Sequence, residues 1–270
     1  MPHTNLYIKK LVIKLGTKVL APDGQLEQNV FNQVSWQVME AQKLGVEVTI
    51  VSSAGILAGR ERAQKLNLNV ASLKKRYLAG IGARHLLNRW GQAFEKHGRE
   101  IAQIWISHGN LRDAEEKKSI QYAIRDYHIH GIIPIVNEND VVSDTEVHSM
   151  EYRISENDLL AEKLAGEIGA DSILFLTNVG GVYEENPSLE SGARRFAEIN
   201  VATAEKLASL SSGTAENGTG GMSPKLRAAV RCYHEKNMKA CIASVSDNAI
   251  PKFIKGEKVG TLIGTSVHFW

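Results

Sequence analysis

The sequence predicts an α/β protein with a mostly parallel sheet and crossover helices. Three observations carry this: short apolar runs rich in β-branched residues recur, each is followed by a longer stretch with helical spacing, and glycines punctuate the joins. Strand candidates are residues 11–15, 47–51, 102–106, 132–136, 172–176, 240–243 and a last, shorter 261–263. Helix candidates fill the intervals at 28–44, 73–97, 112–127, 157–168, 201–207 and 224–237. Gly45, Gly98, Gly131 and Gly169 each fall just before a strand, where a left-handed residue ends the preceding helix. No Pro/Ser-rich linker and no internal repeat divides the chain, so residues 1–270 read as one domain, with any lobe division near the middle of the sheet.

Composition narrows the class. With 43% hydrophobic and 23% charged residues over 270 positions, the chain has ample material for a core. Lys+Arg 32 against Asp+Glu 30 gives a formal charge of +2, and the basic residues read as spread along the sequence, so no nucleic acid partner is implied. The two cysteines, Cys232 and Cys241, suggest no disulfide framework, and the first ten residues lack an apolar run of signal-peptide length. A soluble protein of the reducing cytoplasm is expected, with no membrane segment, since no window nears the roughly 18 apolar residues of a span.

The informative segments gather at predicted strand ends. Gly16-Thr17, Ser52-Ser53-Ala54-Gly55, Asn137-Glu138-Asn139-Asp140 and Thr177-Asn178 each follow a strand candidate, and in a parallel sheet they share the carboxyl edge, where open α/β proteins bind ligands. Lys14 precedes Gly16 by two residues and points opposite to Ile13 and Leu15. Alone it reads as a surface lysine on an edge strand; beside the backbone N–H groups of Gly16 and Thr17 it reads as part of a phosphate cradle. Gly218-Thr219-Gly220-Gly221-Met222-Ser223-Pro224-Lys225 is a glycine-rich loop entering a helix, whose N-terminal N–H groups suit an anion. It has neither Walker A spacing nor a preceding strand, and a flexible surface linker is the plain alternative.

Asp158 lies at the start of a predicted helix, where a capping role is the plain expectation. Placed between Lys14 and Lys225, it would instead organise two ammonium groups. Such a set suits phosphoryl transfer, which asks mainly for alignment and charge stabilisation. A carboxylate acceptor is already ionised at neutral pH and needs no general base. The histidines therefore have no evident catalytic task; His108, at a strand end, is the one to examine, with a structural role favoured.

Leu11-Val12-Ile13-Lys14-Leu15-Gly16-Thr17, Val51-Ser52-Ser53, Pro134 to Asp140, Asn157-Asp158, Leu176-Thr177 and Gly218 to Met222 with Lys225 together resemble the amino acid kinase superfamily and, within it, the glutamate 5-kinase family. The segments run in family order over most of the chain. The resemblance implies an αβα sandwich around an open, mostly parallel sheet, with MgATP and an amino acid bound along the carboxyl edge. It implies phosphorylation of the L-glutamate γ-carboxylate, the first step of proline synthesis from glutamate. Lys14 and Lys225 would contact the phosphates and Asp158 orient them. Gly16, Thr177, Asn178 and the Gly218, Thr219, Gly220, Gly221, Met222 loop would line the nucleotide. Ser53, Asp140 and Asn157 would bind glutamate, Asp140 facing its ammonium group. Magnesium (Mg2+) would arrive on ATP, with no dedicated protein metal site.

The chain departs from the family where Ser53-Ala54-Gly55 replaces the usual Ser-Gly-Ala, and where Asn178 and Glu156 stand at common aspartate positions. Many relatives carry a C-terminal PUA module, which this sequence, running to Trp270, is expected to lack. Homo-oligomerisation and feedback inhibition by proline are further family expectations. The alternatives are a sister kinase acting on aspartate, acetylglutamate, carbamate or a nucleoside monophosphate, and a non-catalytic regulator that binds such ligands.

Overall fold

The computed structural model describes residues 7–142, 156–185, 187, 192–210, 222–264 and 268–269. Five neighbouring strands run parallel from one edge of the sheet inwards: β1 (Lys10–Leu15), β2 (Glu47–Ser52), β3 (Ile101–Ile106), β4 (Ile133–Glu138) and β5 (Ser172–Thr177). With β6 (Phe196–Asn200), β7 (Lys239–Ser244), β8 (Thr261–Gly264) and β9 (His268–Phe269), the described residues form a nine-stranded sheet in the order β3-β4-β2-β1-β5-β7-β8-β6-β9. Only the β7–β8 and β6–β9 pairs are antiparallel. The expected mostly parallel sheet is therefore found, and β1 lies inside it rather than at an edge.

The helices are α1 (Thr17–Leu20), α2 (Gln28–Lys43), α3 (Gly55–Lys65), α4 (Lys75–Glu95), α5 (Ala114–Ile129), α6 (Glu156–Glu167), α7 (Val201–Leu210), α8 (Met222–Lys236) and α9 (Ala249–Ile254). Because side chains alternate along a strand, β1 sends Leu11, Ile13 and Leu15 to a core shared with α2, α4 and α9, and Val12 to a core shared with α5, α6, α7 and α8. Two such cores, one on each face, make the αβα sandwich. Lys14 shares the face of Val12, which is the face of α6 and α8.

The glycine punctuation takes the expected backbone form: Gly45, Gly98, Gly131 and Gly169 have φ of 77°, 64°, 69° and 65°. Boundaries shift slightly elsewhere. The 112–127 candidate becomes α5, which starts later because Asp113 caps it, accepting from the N–H groups of Glu115 and Glu116 at 3.0 and 2.9 Å. The sequence reading omits α1, α3, α9, β6 and β9. α3 is the consequential omission: its glycines look like loop, but they allow close packing. A Cβ on Gly59 would lie 1.8 Å from the Leu78 carbonyl oxygen, and one on Gly82 would lie 1.8 Å from that of Gly55. Backbone thus meets backbone where α3 crosses α4.

That contact makes a prediction. Gly82→Ala should lower the unfolding free energy by about 3 kcal/mol, since overpacking here must move backbone. Gly91→Ala, whose Cβ would stand 3.9 Å from its nearest neighbour, should be neutral or slightly stabilising. Urea denaturation of both variants decides; equal stabilities would contradict the close-packing account.

Candidate active site

Parallel register aligns the strand ends that carry the polar loops. Leu15 of β1 stands opposite Ser52 of β2 and Leu176 of β5, while Val51 stands opposite Val136 of β4. Gly16, Ser53, Asn139 and Asn178 therefore emerge along one edge of the sheet.

At its centre three charged side chains meet below the surface. Lys14 Nζ lies 2.5 Å from Asp158 Oδ1, and Lys225 Nζ lies 3.4 Å from Asp158 Oδ2. Lys14 and Asp158 are only 2% and 0% exposed, and Lys225 is 9% exposed. The arrangement overturns the surface-lysine and helix-cap readings: Asp158 turns away from the backbone of α6 and joins two helices to the central strand. Desolvation brings the Lys14 pKa down to about 8; Asp158 opposes the shift, while Lys225 adds to it. The Lys14 ammonium lies beside Gly16, where a Cβ would stand 3.6 Å from Nζ.

A second ion pair fixes the spacing of the two helices. Arg231 of α8 donates from Nε to Glu162 Oε2 of α6 at 2.7 Å, one turn beyond Asp158. Glu162 is 4% exposed and its pKa is raised by desolvation, against the pull of Arg231. Ser223 adds a tie to α7, donating to the Ala208 carbonyl at 2.7 Å. These contacts hold Lys225 and Asp158 in register without touching either.

The loop after β2 is equally braced. Ser53 N–H donates to the Leu15 carbonyl at 3.0 Å; Ser52 Oγ accepts from Trp90 Nε1 at 3.0 Å; Asn137 Nδ2 donates to the Ser52 carbonyl at 2.6 Å. Trp90 is the positioning residue that local sequence does not reveal. Ser53 is buried, and Asp140 and Asn157 are partly buried on neighbouring segments. The Oδ1 atoms of Asn137 and Asn157 are buried without a protein hydrogen-bond partner among the described residues, two acceptors suited to a ligand N–H. His108 Nε2 lies 4.0 Å from Glu138 Oε1, which fits a structural role beside the loop.

Thr177 spends its hydroxyl on a local turn, donating to the Val179 carbonyl at 2.6 Å and accepting from its N–H at 3.0 Å. Asn178 beyond it is exposed at the rim. Met222 opens α8, whereas Gly218, Thr219, Gly220 and Gly221 lie outside the described residues. Among the described residues no three His, Cys, Asp or Glu side chains are grouped to hold a metal ion, and no helix is long and apolar enough to cross a membrane.

Known proteins bear on this geometry. The model of the amino acid kinase family matches residues 9–244. The glutamate 5-kinase of Dehalococcoides mccartyi (strain CBDB1) is 36% identical over 272 residues, which span 98% of this chain and 71% of that protein. That of Acinetobacter baylyi is 30% identical, over 95% of this chain and 67% of its own length. Two solved structures share the fold: carbamate kinase from Giardia lamblia bound to AMP-PNP, at TM-score 0.68 and 17% identity over 97% of this chain and 100% of that one, and UMP kinase from Bacillus anthracis, at 0.65 and 16% over 97% and 99%.

The exchanged Ala54-Gly55 pair has a measurable consequence. Ala54, not Gly55, takes the left-handed conformation at the head of α3, with φ 82° and ψ 12°. A side chain there costs about 1 kcal/mol relative to glycine. Ala54→Gly should therefore raise the unfolding free energy by about 1 kcal/mol in urea denaturation, and a loss of stability would show that the loop is not strained.

Proposed function

The chain belongs to the amino acid kinase family, and we propose that it transfers the γ-phosphoryl group of ATP to the γ-carboxylate of L-glutamate, the step that commits glutamate to proline synthesis. The observation that carries this reading is the buried Lys14–Asp158–Lys225 set at the carboxyl edge. Two buried ammonium groups with one carboxylate leave net positive charge where a polyphosphate belongs. The 36% identity to a glutamate 5-kinase supports glutamate as acceptor.

In this mechanism a glutamate γ-carboxylate oxygen attacks the γ-phosphorus. The new O–P bond forms as the bridging P–O bond breaks, and ADP leaves with the electron pair. No proton is transferred, since the acceptor is already ionised. Lys14 and Lys225 stabilise charge on the transferring group, and Asp158 keeps both ammonium groups in place. Magnesium, arriving on the phosphates of ATP, would supply further neutralisation of charge there. Ser53, Asp140 and Asn157 hold glutamate, with the buried Asn157 Oδ1 and the Asp140 carboxylate suited to its ammonium group. The backbone of Gly16, the Thr177–Asn178 turn and Met222 would sit beside the nucleotide, and Gly218, Thr219, Gly220 and Gly221 are assigned to it from the family resemblance alone. Cytoplasmic location, self-association and feedback inhibition by proline belong to the same proposal and rest on the family match.

The direct test is magnesium-dependent ADP release with L-glutamate, aspartate, acetylglutamate, carbamate and a nucleoside monophosphate, trapping acyl phosphate with hydroxylamine. A hydroxamate from glutamate is expected; turnover only with another acceptor would overturn the assignment. Lys14→Ala and Lys225→Ala should each lower kcat by about 10²-fold in folded protein. The pH profile gives an independent check. Because Lys14 loses its proton near pH 8 in the free enzyme, kcat/KM should fall as pH rises through about 8. Phosphate binding favours the charged lysine, so the fall in kcat should come at higher pH. A flat kcat/KM between pH 7 and 9.5 would contradict the role of Lys14.

A further inference from the structure

The formal charge of +2 conceals a strong asymmetry. Residues 55–95 hold eight Lys or Arg and two Asp or Glu, a formal +6, so the other 229 residues sum to −4. The excess of basic residues lies in the contiguous segment that forms α3, α4 and their connection. Part of that charge surrounds a cavity of about 220 Å3 between the two helices.

Arg62 and Lys65 of α3 and His85 and Arg89 of α4 line this cavity, along with one carboxylate, Glu61. Glu61 is already engaged, its Oε1 accepting from the Leu26 N–H at 2.6 Å. Arg89 makes only a long contact with a neutral oxygen, 3.4 Å to Gln28 Oε1. Among the described residues, Arg62, Lys65 and Arg89 form no salt bridge. Three cations and an imidazole around one occupied carboxylate leave uncompensated positive potential in a concave space.

The size and chemistry of the space select a ligand. It is smaller than the roughly 300–1,000 Å3 of sites that enclose drug-sized molecules, so a whole nucleotide does not fit inside. One or two phosphate groups do, and two guanidinium forks suit their oxygens. We propose that the α3–α4 cavity binds an oligophosphate anion, either free or as the phosphate tail of a nucleotide whose base remains outside. The site is separate from the sheet edge: Arg62 lies roughly 10 Å along α3 from its first residue, Gly55.

His85 provides a built-in reporter. Its pKa is lowered by desolvation and by the charges of Arg62, Arg84, Lys65 and Arg89, against which only Glu61 stands on the cavity wall. A bound anion offsets those four cations, so His85 should titrate at higher pH when the cavity is filled.

The experiment is a pyrophosphate titration followed by calorimetry and by the NMR signal of the His85 ring. It compares the wild-type chain, Lys225→Ala to weaken the sheet-edge site, and Arg62→Gln/Arg89→Gln. Lys225→Ala should still bind pyrophosphate and show the upward His85 shift. The double variant should lose the shift and bind at least about tenfold more weakly, while keeping wild-type turnover. Lys65→Glu, at an exposed position, tests the same loss without risk to the fold. An equal His85 shift with ATP would point to a nucleotide tail; a shift with pyrophosphate alone would point to the free anion. Absence of any His85 shift in Lys225→Ala, or undiminished binding in both the double variant and Lys65→Glu, overturns the proposal whatever the acceptor of the kinase reaction is.

Discussion

Two ammonium groups share one carboxylate beneath the surface of this protein, and the rest of the site is organised around that imbalance. Removing ions from water costs several kcal/mol each, and a single aspartate offsets only part of the cost of two lysines. The strain is visible in Lys14, whose proton is held loosely enough to leave near pH 8. In the proposed reaction, phosphate oxygens would remove the imbalance, and a transferring phosphoryl group, whose charge spreads over its equatorial oxygens, would benefit from both lysines at once. Preorganisation therefore has a physical origin here: the folded chain bears the cost of assembling the charges before substrate arrives.

That assembly depends on topology more than on any one contact. Lys14 comes from a central strand, Asp158 from α6 and Lys225 from α8, and the three meet because both helices pack on the face to which Lys14 points. The Glu162–Arg231 pair sets the helix spacing, and Trp90 and Asn137 brace the loop that leads to Ser53. On the opposite face, α3 and α4 pack so closely through Gly59 and Gly82 that their basic side chains crowd together around a cavity. One sheet thus supports a charge cluster on each side of its plane.

Much of this was legible in the residues themselves. Alternation in β1 aimed Lys14 away from Ile13 and Leu15, and the glycine stops marked the joins of the parallel sheet. Other features were hidden because their meaning is long-range. Glu162 and Arg231 are 69 residues apart and look like ordinary helix-surface charges until α6 and α8 are packed together. Ser52 and Trp90 are 38 apart, and nothing in either neighbourhood announces the hydrogen bond. α3 carries glycines that argue locally for a loop, whereas tertiary contact requires them; β6 offers only five residues, with Phe196, Ala197 and Ile199 turned inward. Ala54 shows the reverse case, since the exchanged Ala-Gly pair was plain in the sequence but only the backbone reveals that alanine takes the left-handed position.

In the proposed mechanism Asp158 acts by holding two lysines for the transferring phosphoryl group. Steady-state kinetics of Asp158→Asn, with its fold checked by circular dichroism, address this most directly. The expected kcat is lower by about 10²-fold, with the KM for glutamate changed little. A variant with near-normal kcat, or one whose defect is confined to the KM for glutamate, would contradict it.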